Sequence, residues 1–298
     1  MTDERIGSIV VAFKPDENIY DLILSASKQF DEVVVYNNFM EDEQIKTIVN
    51  MNLLNVGIIG TGENFGIAIA LNKGMEELDR LDCQYVFSFD QDSKIPKDFS
   101  ERMIKSYKIL SENGDKIGFV APIFLDGNTG EKSGLLKLGK LWYKRKTAGF
   151  NRFEEVTTVI TSGSLIRMSD FKNMGTYIDS MFIDYVDNEY CYRLVTAGYK
   201  IFVDTSIVMD HTLGARTVHK VGPLRIKPTH HNVIRKYYIS RNRIFCIRKY
   251  GMKIGGLIPF EVIVTTMDII RVSVFEKDKK MKLKAIARGF KDGIRFNP

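Results

Sequence analysis

The first 90 residues repeat a short apolar run followed by a stretch of helical period, and this pattern is that of βαβ units around a largely parallel sheet. Residues 6–13, 32–36 and 55–59 read as strands, and each leads into a predicted helix, over 17–30, 42–51 and 64–81. In the first helix Ile19, Leu22, Ile23 and Ala26 share one face; in the third, Ile67, Ala70, Leu71, Met75 and Leu78 do. Residues 85–89 are an apolar run bounded by polar residues, as expected of a central strand buried on both faces. Further on, the spacing predicts a helix over 99–110, strands over 117–121, 156–167 and 200–209, and a helix over 187–197 that Gly198 terminates. Residues 126–152 mix glycine, lysine and aromatics without a clean period and read as a loop-rich insertion with room for a hairpin.

Charge divides the chain. Residues 1–215 hold 23 Lys+Arg against 32 Asp+Glu, whereas 216–298 hold 20 against 5, so an acidic α/β domain over 1–215 and a basic C-terminal helical region over 216–298 are expected to meet different partners. The three cysteines, Cys83, Cys191 and Cys246, are odd in number and lie in or beside apolar runs, which fits reduced buried thiols rather than a disulfide frame or a zinc site. The opening Met1-Thr2-Asp3-Glu4-Arg5 is charged and lacks the apolar core of a secretory signal, so a cytoplasmic chain is expected. Residues 254–275 are apolar but carry Glu261, Asp268 and Arg271, each costly at a bilayer centre, and do not read as a transmembrane helix.

Two clusters of carboxylates stand out. Asp90-Gln91-Asp92-Ser93 follows directly on the buried strand, and in open α/β sheets ligands bind beyond the carboxyl ends of strands. If the extended geometry persists, Asp90 and Asp92 project to one side as two hard oxygen ligands suited to Mg²⁺ or Mn²⁺ beside a phosphorylated substrate. The same residues are also ordinary turn formers. In the second cluster Asp184, Asp187 and Glu189 lie at or before the start of a helix, where the dipole favours acids and Asp184 with Asp187 has capping-box spacing. An acid screened by the surrounding aromatics can instead act as a general base toward a substrate hydroxyl. His211, in His211-Thr212-Leu213-Gly214, is equally a structural histidine or a third metal ligand.

Taken in order, these segments resemble the family 2 glycosyltransferases, and within them the bacterial rhamnosyltransferases. Val10-Val11-Ala12-Phe13-Lys14-Pro15 is similar to the family's first strand and donor-binding turn, and Asn64-Phe65-Gly66 through Asn72-Lys73-Gly74 to its Asn-x-Gly helix. Asp90-Gln91-Asp92-Ser93 resembles its metal motif, Ser162-Gly163-Ser164 its acceptor-side strand, and His211 to Gly214 its His-x-x-Gly element. Tyr237-Tyr238 with Arg241-Asn242 and Arg248-Lys249 is similar to a basic aromatic helix of these enzymes. The chain departs from the pattern at Tyr36, where an aspartate usually precedes Asn37, at Val186, where a glutamate usually precedes Asp187, and at Ala12, where a hydroxyl is frequent.

The resemblance implies a GT-A fold, that is, a Rossmann-like mixed α/β sheet with flanking helices, and an inverting transfer from a nucleotide sugar, dTDP-L-rhamnose, to a lipid-linked or polysaccharide acceptor in cell-surface glycan synthesis. It implies Asp187 as catalytic base, Asp90, Asp92 and His211 as metal ligands, and Phe13, Pro15, Asn37, Asn64, Gly66, Asn72, Asp90 and Gln91 around the donor. Ser162, Gly163, Asp184 and Glu189 fall on the acceptor side. The basic tail, ending in Lys277 to Lys284 and a short apolar run, reads as a peripheral contact with the anionic inner face of the cell membrane, or else as a solvated helical face with a homodimer contact. No nucleic-acid-binding motif accompanies its charge. A UDP-sugar donor, a non-catalytic glycan-binding relative and an Asp-nucleophile phosphatase are the rival readings.

Overall fold

The computed structural model describes residues 4–126, 130, 132–211, 219–221, 224–226 and 230–298. They form two compact units. The first comprises residues 1–135, 146–182 and 186–212, and the second residues 136–145, 183–185 and 213–298.

The first unit opens with β1 (Ile6–Phe13), α1 (Asn18–Ser27), β2 (Glu32–Phe39), α2 (Asp42–Asn50), β3 (Val56–Ile59), α3 (Ile67–Arg80) and β4 (Tyr85–Asp90). These are the elements that the periodicity predicts, and the strands pair in parallel in the order β3-β2-β1-β4. The helices pack tightly because small residues face the sheet: a Cβ at Gly74 of α3 would lie 2.7 Å from the Ile9 side chain of β1. Phe30, Phe87, Phe89 and Phe99 form an interlocked ring cluster in the core, with centroids 5.1–6.3 Å apart. Each buried phenylalanine contributes about 1.5–3 kcal/mol by leaving water.

The first unit continues with α4 (Phe99–Ser111), β5 (Ile117–Asp126), β8 (Phe153–Val156) and β9 (Leu165–Arg167); between β5 and β8, β6 (Leu135–Leu138) and β7 (Tyr143–Lys146) form a separate two-stranded hairpin that falls mainly in the second unit. After α5 (Met168–Met174) and a 3-10 turn at Asp179–Met181 come α6 (Val186–Thr196) and β10 (Lys200–His211). The full sheet order is β3-β2-β1-β4-β9-β5-β10-β8, with β9 antiparallel to β4 and β5, and β8 antiparallel to β10.

One expectation fails here. Residues 156–167 are not a single strand: the chain leaves β8 at Val156, crosses the end of β4, and re-enters the sheet only at Leu165. Its backbone finds other partners at the crossing, where Gly163 N–H donates to Ser88 O (2.6 Å) and Ser162 bridges to Ser88.

The second unit is mainly helical, with α7 (Val233–Tyr250), α8 (Leu257–Phe275) and α9 (Lys279–Arg295), and a ribbon of β11 (His219–Val221) and β12 (Leu224–Ile226). Part of its basic character is paired internally. Lys236, fully buried on α7, meets Asp268 (2.6 Å) and Glu276 (3.4 Å), and Lys282 meets Glu276 (2.8 Å). Among the described residues no helix is long and apolar enough to cross a membrane. None of the three cysteines forms a disulfide and all are buried, and burial pushes the Cys83 thiol up to about 12, which keeps it protonated and unreactive.

Candidate functional site

The site is assembled at the carboxyl edge of β1, β2 and β4. Register places Ala12 beside Asn37, Phe13 beside Phe39, and Val11 beside Asp90, so the ends of three parallel strands converge. Gln91 ties them together, its Oε1 accepting from Phe13 N–H (2.7 Å). Pro15 is buried, and its carbonyl accepts from Gln44 Nε2 (2.8 Å), which anchors the turn after β1. Just above it Phe13 and Phe39 stand exposed with ring centroids 6.2 Å apart, and Lys14 Nζ lies over both rings, at 5.8 and 5.1 Å. Lys14 and Phe39 were not among the residues that the motifs point to. The strand predicted to end at Tyr36 runs on to Phe39, and no local pattern marks that extension.

Asp90 is the last residue of β4, and the chain turns at once, with Ser93 N–H donating to Asp90 O (3.0 Å). The extended geometry therefore stops at Asp90, and alternation along a strand does not put Asp90 and Asp92 on one side; the tight turn sets their relation instead. Ser162 braces this turn from the crossing segment. Its Oγ accepts from Asp90 N–H (3.2 Å) and bonds Ser93 Oγ (2.8 Å), while Gly163 is held to Ser88 next to it. Gly163 has φ +69°, and a Cβ there would press on Met209 and Pro122, so the close crossing needs glycine. An isolated bridge between Lys94 and Asp210 brings the end of β10 alongside the segment after Asp92. The backbone of His211 is the next residue of that strand; its side chain, with Thr212 to Gly214, lies outside the described residues.

Asp187 sits half-buried in the first turn of α6, with Oδ1 accepting from Asn188 N–H (2.8 Å). One turn on, Cys191 donates to Val159 O (3.7 Å), and Val159 belongs to the same crossing segment as Ser162. Three residues span at most about 11 Å, so that segment touches α6 at one point and the turn of Asp90 at another a short distance away. The Tyr177 hydroxyl is pushed well above its ordinary value, mainly by burial, and the charges of neighbours including Asp187 add to the shift.

The Asn-x-Gly segment has a structural part. Asn64 Oδ1 accepts from Gly66 N–H (3.0 Å), and Gly66, at φ +88°, lies so close to Phe182 that Ile67 N–H reaches Phe182 O (2.7 Å). Asn72 pins the loop before α6: its Nδ2 donates to Tyr177 O (2.9 Å) and Asp179 Oδ1 (2.6 Å), and its Oδ1 accepts from Tyr177 N–H (2.9 Å). Asn37 is buried, its Oδ1 accepting from Met40 N–H (2.8 Å).

Two acids predicted on the acceptor side are engaged elsewhere. Glu189 is fully buried and paired with Arg193 one turn along α6 (2.8 Å), so its carboxylate braces the helix. Asp184 belongs to the second unit, where Arg235 holds both carboxylate oxygens (3.0 and 2.6 Å). Its φ of +60° and that of Tyr185, +64°, are incompatible with a capping box, because a helix N-cap is extended.

Among the described residues no three His, Cys, Asp or Glu side chains gather as a metal cluster. Asp90 and Asp92 nonetheless offer the hard carboxylate oxygens that Mg²⁺ or Mn²⁺ accepts alongside substrate phosphate. A groove of about 730 Å³ along α7 and α9, lined by Tyr237, Tyr238, Met281, Lys284 and Arg288 among others, contains none of these residues.

Residues 8–175, more than half of the chain, match the sequence model described as glycosyl transferase family 2. Over 98% of its length the chain is 27% identical to a dTDP-rhamnosyl transferase, RfbF of Shigella flexneri, and the match covers 96% of that protein. Among solved structures it is similar to S. aureus TarS 1-349 in complex with UDP-GlcNAc, with a TM-score of 0.61 at 13% identity, covering 97% of this chain and 81% of that one. GalNAc-T7 with UDP, GalNAc and Mn²⁺ superposes with a TM-score of 0.60 at 13% identity over 96% of this chain, which spans only 57% of that protein. At such identities the two structures speak for the fold alone, and the fold they share with this chain is GT-A.

Proposed function

The chain belongs to glycosyl transferase family 2 and is a glycosyltransferase, and on that premise we propose that it moves L-rhamnose from dTDP-L-rhamnose onto a lipid-linked or polysaccharide acceptor with inversion. The observation that carries the donor reading is the end-to-end likeness to a dTDP-rhamnosyl transferase. The convergence of Phe13, Asn37, Asp90 and Gln91 at one sheet edge supports a nucleotide there. In this reading Phe13 and Phe39 flank the base and Lys14 neutralises phosphate charge. Asn64, Gly66 and Asn72 act indirectly, by holding the loop that leads into α6.

Transfer forms a bond from the acceptor oxygen to the anomeric carbon and breaks the bond from that carbon to the diphosphate, which leaves with the electron pair. Asp187 takes the acceptor proton as attack proceeds, and Ser162 and Gly163 shape the acceptor side. Asp90 and Asp92, with His211 as a third ligand, would hold Mg²⁺ or Mn²⁺, and such an ion supplies Lewis-acid stabilisation of the charge on the leaving diphosphate. The first unit carries this chemistry, and the basic second unit serves the acceptor and the anionic inner face of the cell membrane.

The test is turnover with a panel of nucleotide sugars, with and without a chelator. Release of dTDP from dTDP-rhamnose, abolished by EDTA and restored by Mn²⁺ or Mg²⁺, is expected. Preference for a UDP-sugar overturns the donor assignment, and EDTA-resistant turnover overturns the metal. The replacement of the usual aspartate by buried Tyr36 makes base discrimination the sharpest part of the panel.

A further inference from the structure

The tail's Lys-rich last helix is not the one that keeps an apolar face open. In α9 the buried small and apolar residues pack against α7: Ala285 and Ile286 are buried, and Cβ atoms added at Gly289 and Gly293 would lie 2.5 and 2.6 Å from the carbonyls of Tyr237 and Arg241, while the exposed Met281 and Ile294 stand singly near opposite ends of the helix. α8 is built the other way round. Its two acids turn inward, Glu261 accepting from Tyr185 Oη (2.6 Å) and pairing with Arg243 (3.1 Å), and Asp268 pairing with Lys236 (2.6 Å). Ile258, Val262, Met267, Ile270 and Val274 stand outward, 38–56% exposed, accompanied by the exposed and uncharged Thr266 and Ser273. From residue 258 to residue 274 this face spans about 24 Å of helix.

A surface helix in water places its charges outside and its aliphatic side chains inside, so this inversion calls for something to cover the face. The surroundings say what. Exposed Lys253 precedes α8 and exposed Lys277, Lys279 and Lys280 follow it, against one exposed acid, Asp278. A second copy would bring the same lysines against these, whereas a layer of phosphate headgroups over hydrocarbon answers both the cations and the apolar stripe.

We propose that α8 lies in the interface of an anionic lipid bilayer, with its Ile258 to Val274 face immersed and Lys253, Lys277, Lys279 and Lys280 reaching the headgroup phosphates. This deepens the membrane-facing reading of the second unit and stands independently of the donor assignment.

The test is co-sedimentation of the full chain with vesicles of 1:1 phosphatidylglycerol and phosphatidylcholine, and with phosphatidylcholine alone. Wild type should partition to the anionic vesicles. The double variant Val262→Glu/Ile270→Glu should lose at least about tenfold in partitioning, and Lys277→Gln/Lys279→Gln/Lys280→Gln about fivefold per lysine removed. Absence of wild-type binding, or wild-type partitioning by the folded glutamate variant, overturns the proposal. So does a lipid-free dimer that the glutamate variant converts to monomer, because a second copy then covers the face. Should the glutamates disrupt the helix, Ile270→Trp reads the same point: its emission should shift to the blue with anionic vesicles, over the Trp142 background, and an unshifted spectrum overturns the proposal. Hydrolysis of dTDP-rhamnose without vesicles, followed in parallel, should be unchanged in the α8 variants, so loss of the donor reading and loss of this one are told apart.

Discussion

Replacing Gly66 by alanine probes the joint between the Asn-x-Gly segment and the loop that precedes Asp187. Gly66 has φ +88° and ψ 170°, a region occupied almost solely by glycine, and an alanine held there costs about 2–3 kcal/mol. The new Cβ would press against the Phe182 carbonyl oxygen and lie 2.6 and 2.8 Å from its Cδ2 and Cα, so Phe182 must move. Moving it breaks the bond from Ile67 N–H to Phe182 O (2.7 Å), worth about 1 kcal/mol more. Together these give about 3–4 kcal/mol, or roughly a 10 °C fall in melting temperature for a unit of this size. Because Phe182 lies five residues before Asp187, turnover should fall as well. The assay is a thermal melt followed by calorimetry, with sugar-nucleotide turnover measured below the transition. Gly57→Ala is the internal control, since its Cβ would meet nothing within 4 Å and its backbone is ordinary. A Gly66→Ala protein that melts within about 2 °C of wild type and turns over normally would refute the reasoning.

Asp187→Asn should keep donor affinity, read by titration with dTDP-rhamnose, and lower kcat by about 10²–10⁴-fold, the usual worth of a general base. Glu276→Gln leaves the buried ammonium groups of Lys236 and Lys282 with only Asp268 between them, and should destabilise the second unit by about 3–5 kcal/mol in urea unfolding. His231 is held at a pKa of about 4, chiefly by burial and then by the charge of Arg235, with Lys236 opposing protonation and Asp184 and Asp268 favouring it. Since its folded value is depressed, the unfolded chain binds the extra proton below pH 6.5. Stability should therefore fall as pH drops from about 6.5 toward 4, by about 1–3 kcal/mol, and His231→Gln should flatten the wild-type slope in that window.

The parallel half of the sheet was legible because its signals are local. Ile6–Phe13 and Tyr85–Asp90 are buried on both faces, so an uninterrupted apolar run marks them, and α1 and α3 show their buried faces at helical spacing. The motif residues that meet at the strand ends follow from that order, since parallel strands deliver their carboxyl ends to one edge. The misreading of 156–167 has the opposite cause. A Ser- and Gly-bearing apolar stretch looks like a strand until a neighbouring strand end, here that of β4, offers Ser88 O and Asp90 N–H as partners and draws the backbone out of the ladder. The setting of Glu189 is illegible for a similar reason, because its partner Arg193 is a turn away but its burial depends on everything packed around α6.

By itself the sequence determined the family, the GT-A architecture and the order in which its motifs arrive, because apolar periodicity and residue type are properties of neighbouring positions. Which charged groups remain available was decided only by tertiary structure. Asp184, Asp187 and Glu189 look alike along the chain, and the lysines of the tail look uniformly solvated. Burial and pairing depend on residues tens of positions away, such as Arg235 for Asp184 and Asp268 for Lys236. Desolvating a charge is tolerated only where such a partner stands ready, and no local pattern records where that happens.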